Sequence, residues 1–254
     1  MSRGKLRSVE VFDVTKTFSN GLEAIGGISL SVGCGEVYGL LGLNGAGKST
    51  VIKMLATLLR PTSGGIRIFG LDTMECCPAE IKRRIGVVPQ ENNLDTHLDV
   101  RQNLAFHCRY AGLAKKDYAP KVEEWLALFG LEGKAAERVM RLSGGTKRKA
   151  MLAKAFLTAP ELLILDEPSA GLDPGVRALF WDKVEEFRSN GGTVFLSTHY
   201  LEEAERLCDR IGILHGGRLV AEGTVNELTR WAGLETAERN GVEAAFRRAV
   251  GTCP

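Results

Sequence analysis

The sequence lacks any apolar run that approaches the ~18 residues needed to span a bilayer. Its start, Met1–Arg7, carries basic residues, but no apolar segment follows them, so a secretory signal peptide is not predicted. We therefore expect a cytoplasmic protein, for which any role at a membrane comes through a partner.

The sequence also lacks a large excess of positive or negative charge. The chain has 33 Lys and Arg against 31 Asp and Glu, a formal net charge of +2, which gives no indication of a nucleic-acid partner. Its six cysteines show no C-x-x-C spacing and no paired histidine ligands, so we expect free thiols rather than a metal site. Internal repeats and low-complexity segments are also lacking. The 254 residues suffice for one large α/β domain, or for a core with a smaller subdomain.

A glycine-rich stretch, Gly42–Thr50, carries the first recognisable chemistry. It fits the pattern G-x-x-x-x-G-K-[ST], in which backbone N–H groups surround a phosphate chain. Lys48 brings a positive charge to the outer phosphates, and Ser49 offers a hydroxyl to a magnesium ion. The stretch follows a predicted buried strand, Glu36–Leu41, and precedes a predicted helix, Val51–Leu59, whose positive N-terminal end would face the phosphates. The candidate phosphate contacts are Gly42, Leu43, Asn44, Gly45, Ala46, Gly47, Lys48, Ser49 and Thr50.

Polar side chains stand at the ends of three further predicted buried strands. These ends are Gln90 after Ile85–Val88, Asp166 and Glu167 after Leu162–Leu165, and His199 after Thr193–Thr198. Ligands of open α/β sheets bind beyond the carboxyl ends of strands, so these side chains are predicted to lie near the phosphate site. Asp166 suits the magnesium shell beside Ser49, and Glu167 suits a general base for an attacking water. Because adjacent residues of a strand point to opposite sides, the two acids are expected to have different roles.

A second small-residue turn, Leu142–Thr146, opens another predicted helix. Ser143 is a suitable N-cap, and the two glycines after it, Gly144 and Gly145, leave backbone N–H groups uncovered. The turn is either an ordinary helix start, with Lys147–Lys149 on a solvated face, or a second anion site. The residues alone leave both readings open.

Other segments predict the frame around these motifs. Ser8–Val14 and Ile28–Val32 alternate with period two, which predicts strands. Apolar residues follow helical spacing from Asp99 to about Leu142, which predicts a helical insertion. Phe18 could pack in a small core or stack on a nucleobase, and composition alone favours the core.

The order of these motifs resembles the ATP-binding subunit of an ATP-binding cassette (ABC) transporter, from Val9 to about Gly223. The resemblance implies an α/β fold with a P-loop nucleotidase core, which is a mostly parallel sheet with flanking helices. It also implies an N-terminal antiparallel β subdomain and an inserted helical subdomain at about residues 91–160. The ABC ATPase domain would span residues 1–223, and residues 224–254 would form a short helical tail.

The resemblance further implies ATP and Mg²⁺ as cofactors. By that resemblance the ATP contacts are Phe18, the Walker A loop Gly42–Thr50, the signature residues Ser143, Gly144 and Gly145, and the D-loop residue Asp173. The catalytic residues are Lys48, Gln90, Glu167 and His199, and the magnesium ligands are Ser49, Gln90 and the Walker B residue Asp166. Thr146 stands where the family commonly has Gln.

Partners also follow from the resemblance. Two cassettes of the family dimerise head to tail, so that the signature of one closes over the phosphates held by the other, and a second copy of this chain is the expected partner. An integral membrane permease would hold the chain at the inner face of the cell membrane, and ATP hydrolysis would power export through it. The permease would contact Leu94–Tyr110, unless those residues pack inside the helical subdomain.

The resemblance also indicates a branch of the family and one alternative function. Ile85–Asp95 and Ser197–Glu205 look like the drug and nodulation-factor exporter branch. The alternative is a soluble ABC ATPase that acts in translation or DNA repair. No residue of the chain indicates the exported substrate.

Overall fold

A computed structural model of the chain describes residues 7–234 and 241–251. Most of the Met1–Arg7 start, Cys253 and part of the predicted 224–254 tail lie outside these residues. In chain order the strands are β1 (Arg7–Thr17), β2 (Glu23–Gly33), β3 (Val37–Leu41), β4 (Ser63–Ile68), β5 (Leu71–Asp72), β6 (Ile85–Val88), β7 (Leu162–Asp166), β8 (Thr193–Thr198), β9 (Arg210–His215) and β10 (Arg218–Gly223). The helices are α1 (Lys48–Leu55), α2 (Pro78–Lys82), α3 (Val100–Tyr110), α4 (Lys115–Leu128), α5 (Gly144–Leu157), α6 (Pro174–Ser189), α7 (Leu201–Leu207), α8 (Val225–Trp231) and α9 (Gly241–Ala249), with 3₁₀ turns at Glu132–Lys134 and Val139–Arg141.

Six strands form the central sheet in the order β10-β9-β3-β8-β7-β6. The strands from β9 to β6 are parallel, and β10 pairs antiparallel with β9 at the edge. Every residue of β3, β7 and β8 is buried, which is typical of parallel strands covered on both faces. The carboxyl ends of β3, β6, β7 and β8 open on one edge, where Gly42, Gln90, Glu167 and His199 follow them.

A second, antiparallel sheet has the order β2-β1-β4-β5 and comes from the N-terminal part of the chain. Its buried residues share one hydrophobic cluster with α1 and with the large sheet, as Val9, Val51 and Ile164 illustrate. In the same cluster the rings of Tyr38 and Phe195 stack with their centroids 5.3 Å apart. The predicted α/β class with an N-terminal antiparallel β subdomain is confirmed.

The predicted helical insertion is present as α3 and α4, which contact each other and α5. Asp99 begins α3 with a capping box, in which its side chain accepts a hydrogen bond from Gln102 N at 2.7 Å. Trp125 of α4 stacks on Phe156 of α5 with a centroid separation of 5.2 Å. The boundary of this subdomain at about residues 91–160 stays a prediction.

Some predicted boundaries are wrong. The helix after the loop spans Lys48–Leu55 in place of Val51–Leu59, and it ends before Thr57, whose φ of 57° is not helical. Part of the predicted turn Arg60–Gly65 is strand, because its last three residues begin β4, in which Ser63 pairs with Thr15 and Gly65 with Phe12 of β1. That pairing overrides the low strand preference of Ser and Gly. The predicted helix from Leu201 to Arg210 is shorter, since the chain enters β9 at its end.

The C-terminal helices α8 and α9 pack on the core. Leu228 of α8 and Val242 of α9 lie in the same buried cluster as Ile213 of β9. The sequence predicts a division of the chain after residue 223, and that division remains a prediction. Within residues 7–234 and 241–251, no helix is long and apolar enough to cross a bilayer. The cysteines in those ranges are free thiols, namely Cys34, Cys76, Cys77, Cys108 and Cys208.

Candidate nucleotide site

The loop Gly42–Thr50 connects the end of β3 to α1, as its pattern predicts. Gly47 stands directly before the helix with a φ of 108°. A Cβ at this position would lie 2.7 Å from the Ala24 carbonyl oxygen and 2.7 Å from Cδ1 of Ile25. Glycine is therefore required here by backbone conformation and by contact with β2.

Backbone groups of two other elements hold the loop from outside. Gly217, in the β9–β10 hairpin, donates its N–H to the Ala46 carbonyl at 3.0 Å. The Gly217 carbonyl in turn accepts a hydrogen bond from Gly26 N of β2 at 2.9 Å. The hairpin and β2 thus fix the position of the loop, which the loop pattern alone did not predict.

Three of the predicted catalytic side chains meet at one carboxylate oxygen. Glu167 is 8% exposed, and its Oε1 lies 3.4 Å from Nζ of Lys48 and 3.2 Å from Nδ1 of His199. The Lys48 ammonium also donates to the carbonyls of Gly42 at 2.8 Å and Leu43 at 3.2 Å. Because Lys48 is only 5% exposed, its charge is screened by water far less than that of a surface lysine.

Glu167 owes its direction to a turn, so the prediction from strand alternation is wrong for it. β7 ends at Asp166, and Glu167 has a φ of 49°, in the left-handed region. The Glu167 N–H donates to the Ser197 carbonyl at 3.0 Å. Asp166 is 2% exposed, and its Oδ1 accepts a short hydrogen bond from the Ser197 hydroxyl. The two acids therefore have separate partners, although not by strand alternation.

A cleft of about 410 Å³ opens beside the loop, within the range of ligand sites. Predicted residues that line it are Phe18, Leu43, Asn44, Gly45, Gly47, Lys48, Ser49, Thr50, Gln90 and Glu167. Ser49 Oγ lies 3.4 Å from Gln90 Oε1, so two predicted magnesium ligands face the same space. Within the described part of the chain, the other predicted residues stand outside this lining, namely Gly42, Ala46, Ser143, Gly144, Gly145, Asp166, Asp173 and His199. The sequence reading missed the lining residues Leu22, Glu23, Ala24, Gly216 and Gly217.

Phe18 lies at the rim of this cleft. Its side chain is 36% exposed, and Nζ of Lys16 lies 5.4 Å from its ring centroid. The alternative in which it packs in a small core is wrong, because its ring is exposed and lines the cleft. An exposed ring beside a phosphate loop is available for stacking on a base.

The signature turn has its own, separate cleft. Ser143 caps α5, since its Oγ accepts from Thr146 N at 3.3 Å and shares a 2.8 Å hydrogen bond with the Thr146 hydroxyl. The two glycines that follow line a second cleft of about 460 Å³. Gln90 and Glu167 line both clefts, so they lie between the phosphate loop and the start of α5.

Asp173 acts as a helix cap. Its Oδ1 accepts a hydrogen bond from Val176 N at 2.9 Å at the start of α6, and its Oδ2 lies 3.5 Å from Nζ of Lys149. The Val176 N–H, and secondarily Lys149, lower the pKa of the Asp173 carboxyl. Asp173 is thus ionised and oriented beside the signature helix.

Arg148 contradicts the alternative in which Lys147–Lys149 form a solvated face. It is 7% exposed, and burial lowers the pKa of its guanidinium. Its hydrogen bonds all go to backbone carbonyls, those of Asp166 at 2.5 Å, Glu167 at 2.5 Å, Pro89 at 2.7 Å and Pro168 at 3.1 Å. The signal that could have found it is helical spacing, because Arg148 shares a face with the buried Met151 and Ala155.

Fold and cleft together define a nucleotide-binding protein of the P-loop class, with a second small-residue turn at the start of α5. The family model described as ABC transporter matches residues 25–170, more than half of the chain. The chain therefore belongs to the ABC transporter family, as an ATP-binding cassette with the ATPase activity of that family. The resemblance inferred from the sequence is confirmed, and the alternative in translation or DNA repair is not supported.

Curated relatives point to the exporter branch. The chain is 40% identical over 226 residues to the Nod factor export ATP-binding protein I of Rhizobium etli, covering 88% of this chain and 70% of that protein. It is 42% identical over 220 residues to the protein of the same name from Burkholderia orbicola, covering 87% of this chain and 72% of that protein.

Solved structures agree with the fold. An ATP-binding subunit of an ABC transporter superposes with a TM-score of 0.87 at 33% identity, covering 95% of this chain and 98% of that chain. The ATP-binding cassette MJ0796, solved as a dimer in a post-hydrolysis state with ADP and Pi, superposes with a TM-score of 0.80 at 26% identity. That match covers 85% of this chain and 98% of MJ0796.

Proposed function

We propose that this chain is the ATP-hydrolysing subunit of an exporter and that Glu167 is the general base of hydrolysis. The observation that carries the proposal is the meeting of Lys48 and His199 at Glu167 Oε1, at 3.4 Å and 3.2 Å. A buried carboxylate held between two basic groups, beside a phosphate loop, can accept a proton from an attacking water. His199 would orient the carboxylate, and Lys48 would face the outer phosphates.

ATP fits the chemistry of the cleft from end to end. The loop N–H groups and the α1 N-terminus favour the phosphates, and Lys48 adds the positive charge that the outer phosphates require. At the other end, the exposed Phe18 ring offers a flat surface to adenine. Because hydrolysis needs positioning and charge stabilisation rather than a covalent intermediate, these contacts supply most of what the reaction demands.

Magnesium suits the oxygen ligands at the centre of the cleft. Ser49 and Gln90 present a hydroxyl and an amide oxygen 3.4 Å apart, and Mg²⁺ prefers such hard oxygen donors. Asp166 is buried and accepts a hydrogen bond from Ser197, which suits a carboxylate that supports the magnesium site from beneath Ser49 and Gln90. When bound, the ion would neutralise charge on the phosphate oxygens.

A second copy of the chain is the proposed partner in hydrolysis. The signature turn lines its own cleft, so within one chain its N–H groups and the phosphate loop do not surround a single phosphate. A head-to-tail second cassette would bring its own signature turn over the first loop. The dimeric MJ0796 cassette supports such a pairing.

A permease would dock on the cleft of about 570 Å³ formed by α2, α3, α5 and the turn after α1. Only part of the predicted docking surface Leu94–Tyr110 is accessible to a permease. Leu94 and Val100 are buried, whereas Phe106 is 61% and Tyr110 is 78% exposed. Tyr110 lines this cleft together with Leu58, which is 62% exposed, and the two offer apolar contact to a membrane subunit. Binding there would place the chain at the inner face of the membrane, and the relatives' names favour export as the direction.

The replacement Glu167→Gln tests this proposal. It keeps the size of the side chain but removes the base, so turnover should fall by about 10²–10⁴-fold while ATP still binds. Steady-state phosphate release and equilibrium ATP binding measure the two effects, and size-exclusion chromatography with ATP should reveal a trapped dimer. Glu132→Gln is the matched control, because Glu132 is exposed and is not among the residues that line either cleft. Undiminished hydrolysis by Glu167→Gln would exclude the proposed base.

A further inference from the structure

Arg148 is the most heavily hydrogen-bonded side chain near the site, and none of its partners is a side chain. Three of its four acceptors are the carbonyls of the consecutive residues Asp166, Glu167 and Pro168, and the fourth is that of Pro89, directly before Gln90. One guanidinium therefore binds the turn that carries Glu167 and the loop that carries Gln90. It is 7% exposed, so these bonds are shielded from water.

The Glu167 turn needs such support. Glu167 has a φ of 49°, a conformation that residues with side chains adopt only when their surroundings enforce it. One enforcing contact is the 3.0 Å bond from Glu167 N to the Ser197 carbonyl. Two further contacts are local, since Ser197 Oγ also accepts from Glu167 N at 3.3 Å and the Glu167 carbonyl accepts from Ala170 N at 3.1 Å. Arg148 adds the contacts from a distant side chain, because it donates to the carbonyls on either side of that amide at 2.5 Å each.

We propose that Arg148 is a positioning residue for hydrolysis, which fixes the left-handed turn at Glu167 and thereby aims its carboxylate at Lys48 and His199. The inference rests on the proposed role of Glu167 as the base. Arginine suits the task because its planar guanidinium offers five donors in a fixed geometry, whereas lysine offers three on a flexible stem. Its charge also lies near Asp166, Glu167 and Glu203, which favours the charged guanidinium in a buried setting.

The position of Arg148 on α5 adds a link to the signature turn. Arg148 lies in the second turn of the helix that Ser143 caps, four residues after Gly144. A shift of α5 when a partner contacts the signature would move the guanidinium, and with it the carbonyls that it holds. Arg148 therefore connects the signature of a chain to the base of the same chain.

Arg148→Met tests the proposal through a split between kcat and KM. We expect kcat to fall about 10–100-fold, because the base is displaced. This kcat is calculated per active site, with the concentration of active sites measured by titration with ATP. The KM for MgATP should change by less than about threefold, because the loop contacts stay in place. Arg148→Lys keeps the charge and some donors, so its kcat should lie between those of the wild type and Arg148→Met. It serves as the test if the methionine variant does not fold.

Arg210→Met is the matched control for general loss of stability. Arg210 is half-buried where Arg148 is buried, but it too holds a backbone carbonyl, that of Ser31 at 3.0 Å, and it is not among the residues that line the cleft. It should lower the melting temperature while kcat per titrated site stays within about twofold of the wild type. An equal fall of kcat in both variants, or an unchanged kcat in Arg148→Met, would overturn the positioning role.

A double-mutant cycle separates this inference from the proposed function. If Arg148 acts through the carboxylate, Arg148→Met should lower the residual single-turnover rate of Glu167→Gln by less than about threefold. Full additivity of the two losses would overturn the positioning role. If Glu167→Gln itself kept its turnover, the proposed function would fail. If Glu167→Gln lost turnover while Arg148→Met kept it, only the role of Arg148 would fail.

Discussion

Two loop glycines offer a matched pair of substitutions that tests how the phosphate loop is held. Both have positive φ, 108° at Gly47 and 82° at Gly45. Gly47→Ala and Gly45→Ala should therefore each cost about 1–2 kcal/mol in backbone strain. Their surroundings differ, because a Cβ at Gly47 would lie 2.7 Å from Ala24 O and from Ile25 Cδ1, whereas at Gly45 it would meet nothing within 4 Å. Displacing those neighbours should add about 1–3 kcal/mol for Gly47→Ala alone.

These energies convert to separate melting temperatures and affinities. At about 3 °C per kcal/mol for a chain of this size, Gly47→Ala should lower Tm by about 10 °C and Gly45→Ala by about 4 °C. ATP binding should weaken more than about tenfold in Gly47→Ala, because the loop N–H groups move, and less than about threefold in Gly45→Ala. Thermal unfolding and titration with a fluorescent ATP analogue measure both quantities. Equal losses in the two variants would refute the reasoning that contact with β2 holds the loop.

Three further predictions concern single side chains. Phe18→Ala should weaken ATP binding about tenfold by removing a stacking surface, whereas Phe12→Ala, an exposed ring on β1, should not; equal affinities in a titration would contradict the contact. Burial lowers the pKa of His107 to about 4 from 6.5, so the unfolded state binds more protons between these values and stability falls as pH drops through that window. The loss in free energy of unfolding should reach at most about 3 kcal/mol in the wild type and should be smaller in His107→Asn. Urea unfolding that shows the same pH dependence of stability in both proteins would contradict this prediction. Ser197→Ala removes the hydroxyl that binds Asp166, so kcat should fall about tenfold or more, and an unchanged kcat would exclude a role for that bond.

The loop and the strand ends could be predicted because their signals are local. The pattern Gly42–Thr50 identifies itself, and continuous apolar strands place their last residues at one edge of a parallel sheet. Gln90, Glu167 and His199 therefore lie beside Lys48 as predicted, or within reach of it. Their assigned roles remain proposals that the substitutions above test.

The contacts that depend on tertiary structure could not be predicted. Glu167 follows a left-handed turn, which the strand pattern before it does not indicate. Gly217 holds the loop through its backbone N–H, so its residue type gives no signal of that contact. Helical spacing indicates that Arg148 is buried, but it does not indicate the backbone carbonyls that the guanidinium binds. Composition alone favours a core position for Phe18, whereas its ring is exposed at the cleft, where the family resemblance places it.

The central claim is that two cassettes share each hydrolytic site, and complementation between two inactive variants tests it most directly. Lys48→Ala removes the charge of the loop, and Ser143→Arg blocks the signature turn, so either variant alone should be inactive. An equal mixture should recover ATP hydrolysis from roughly a quarter of the wild-type sites, because half of the dimers are mixed and each of those has one intact pocket. Full activity from either variant alone, or a mixture as inactive as its parts, would contradict the shared site.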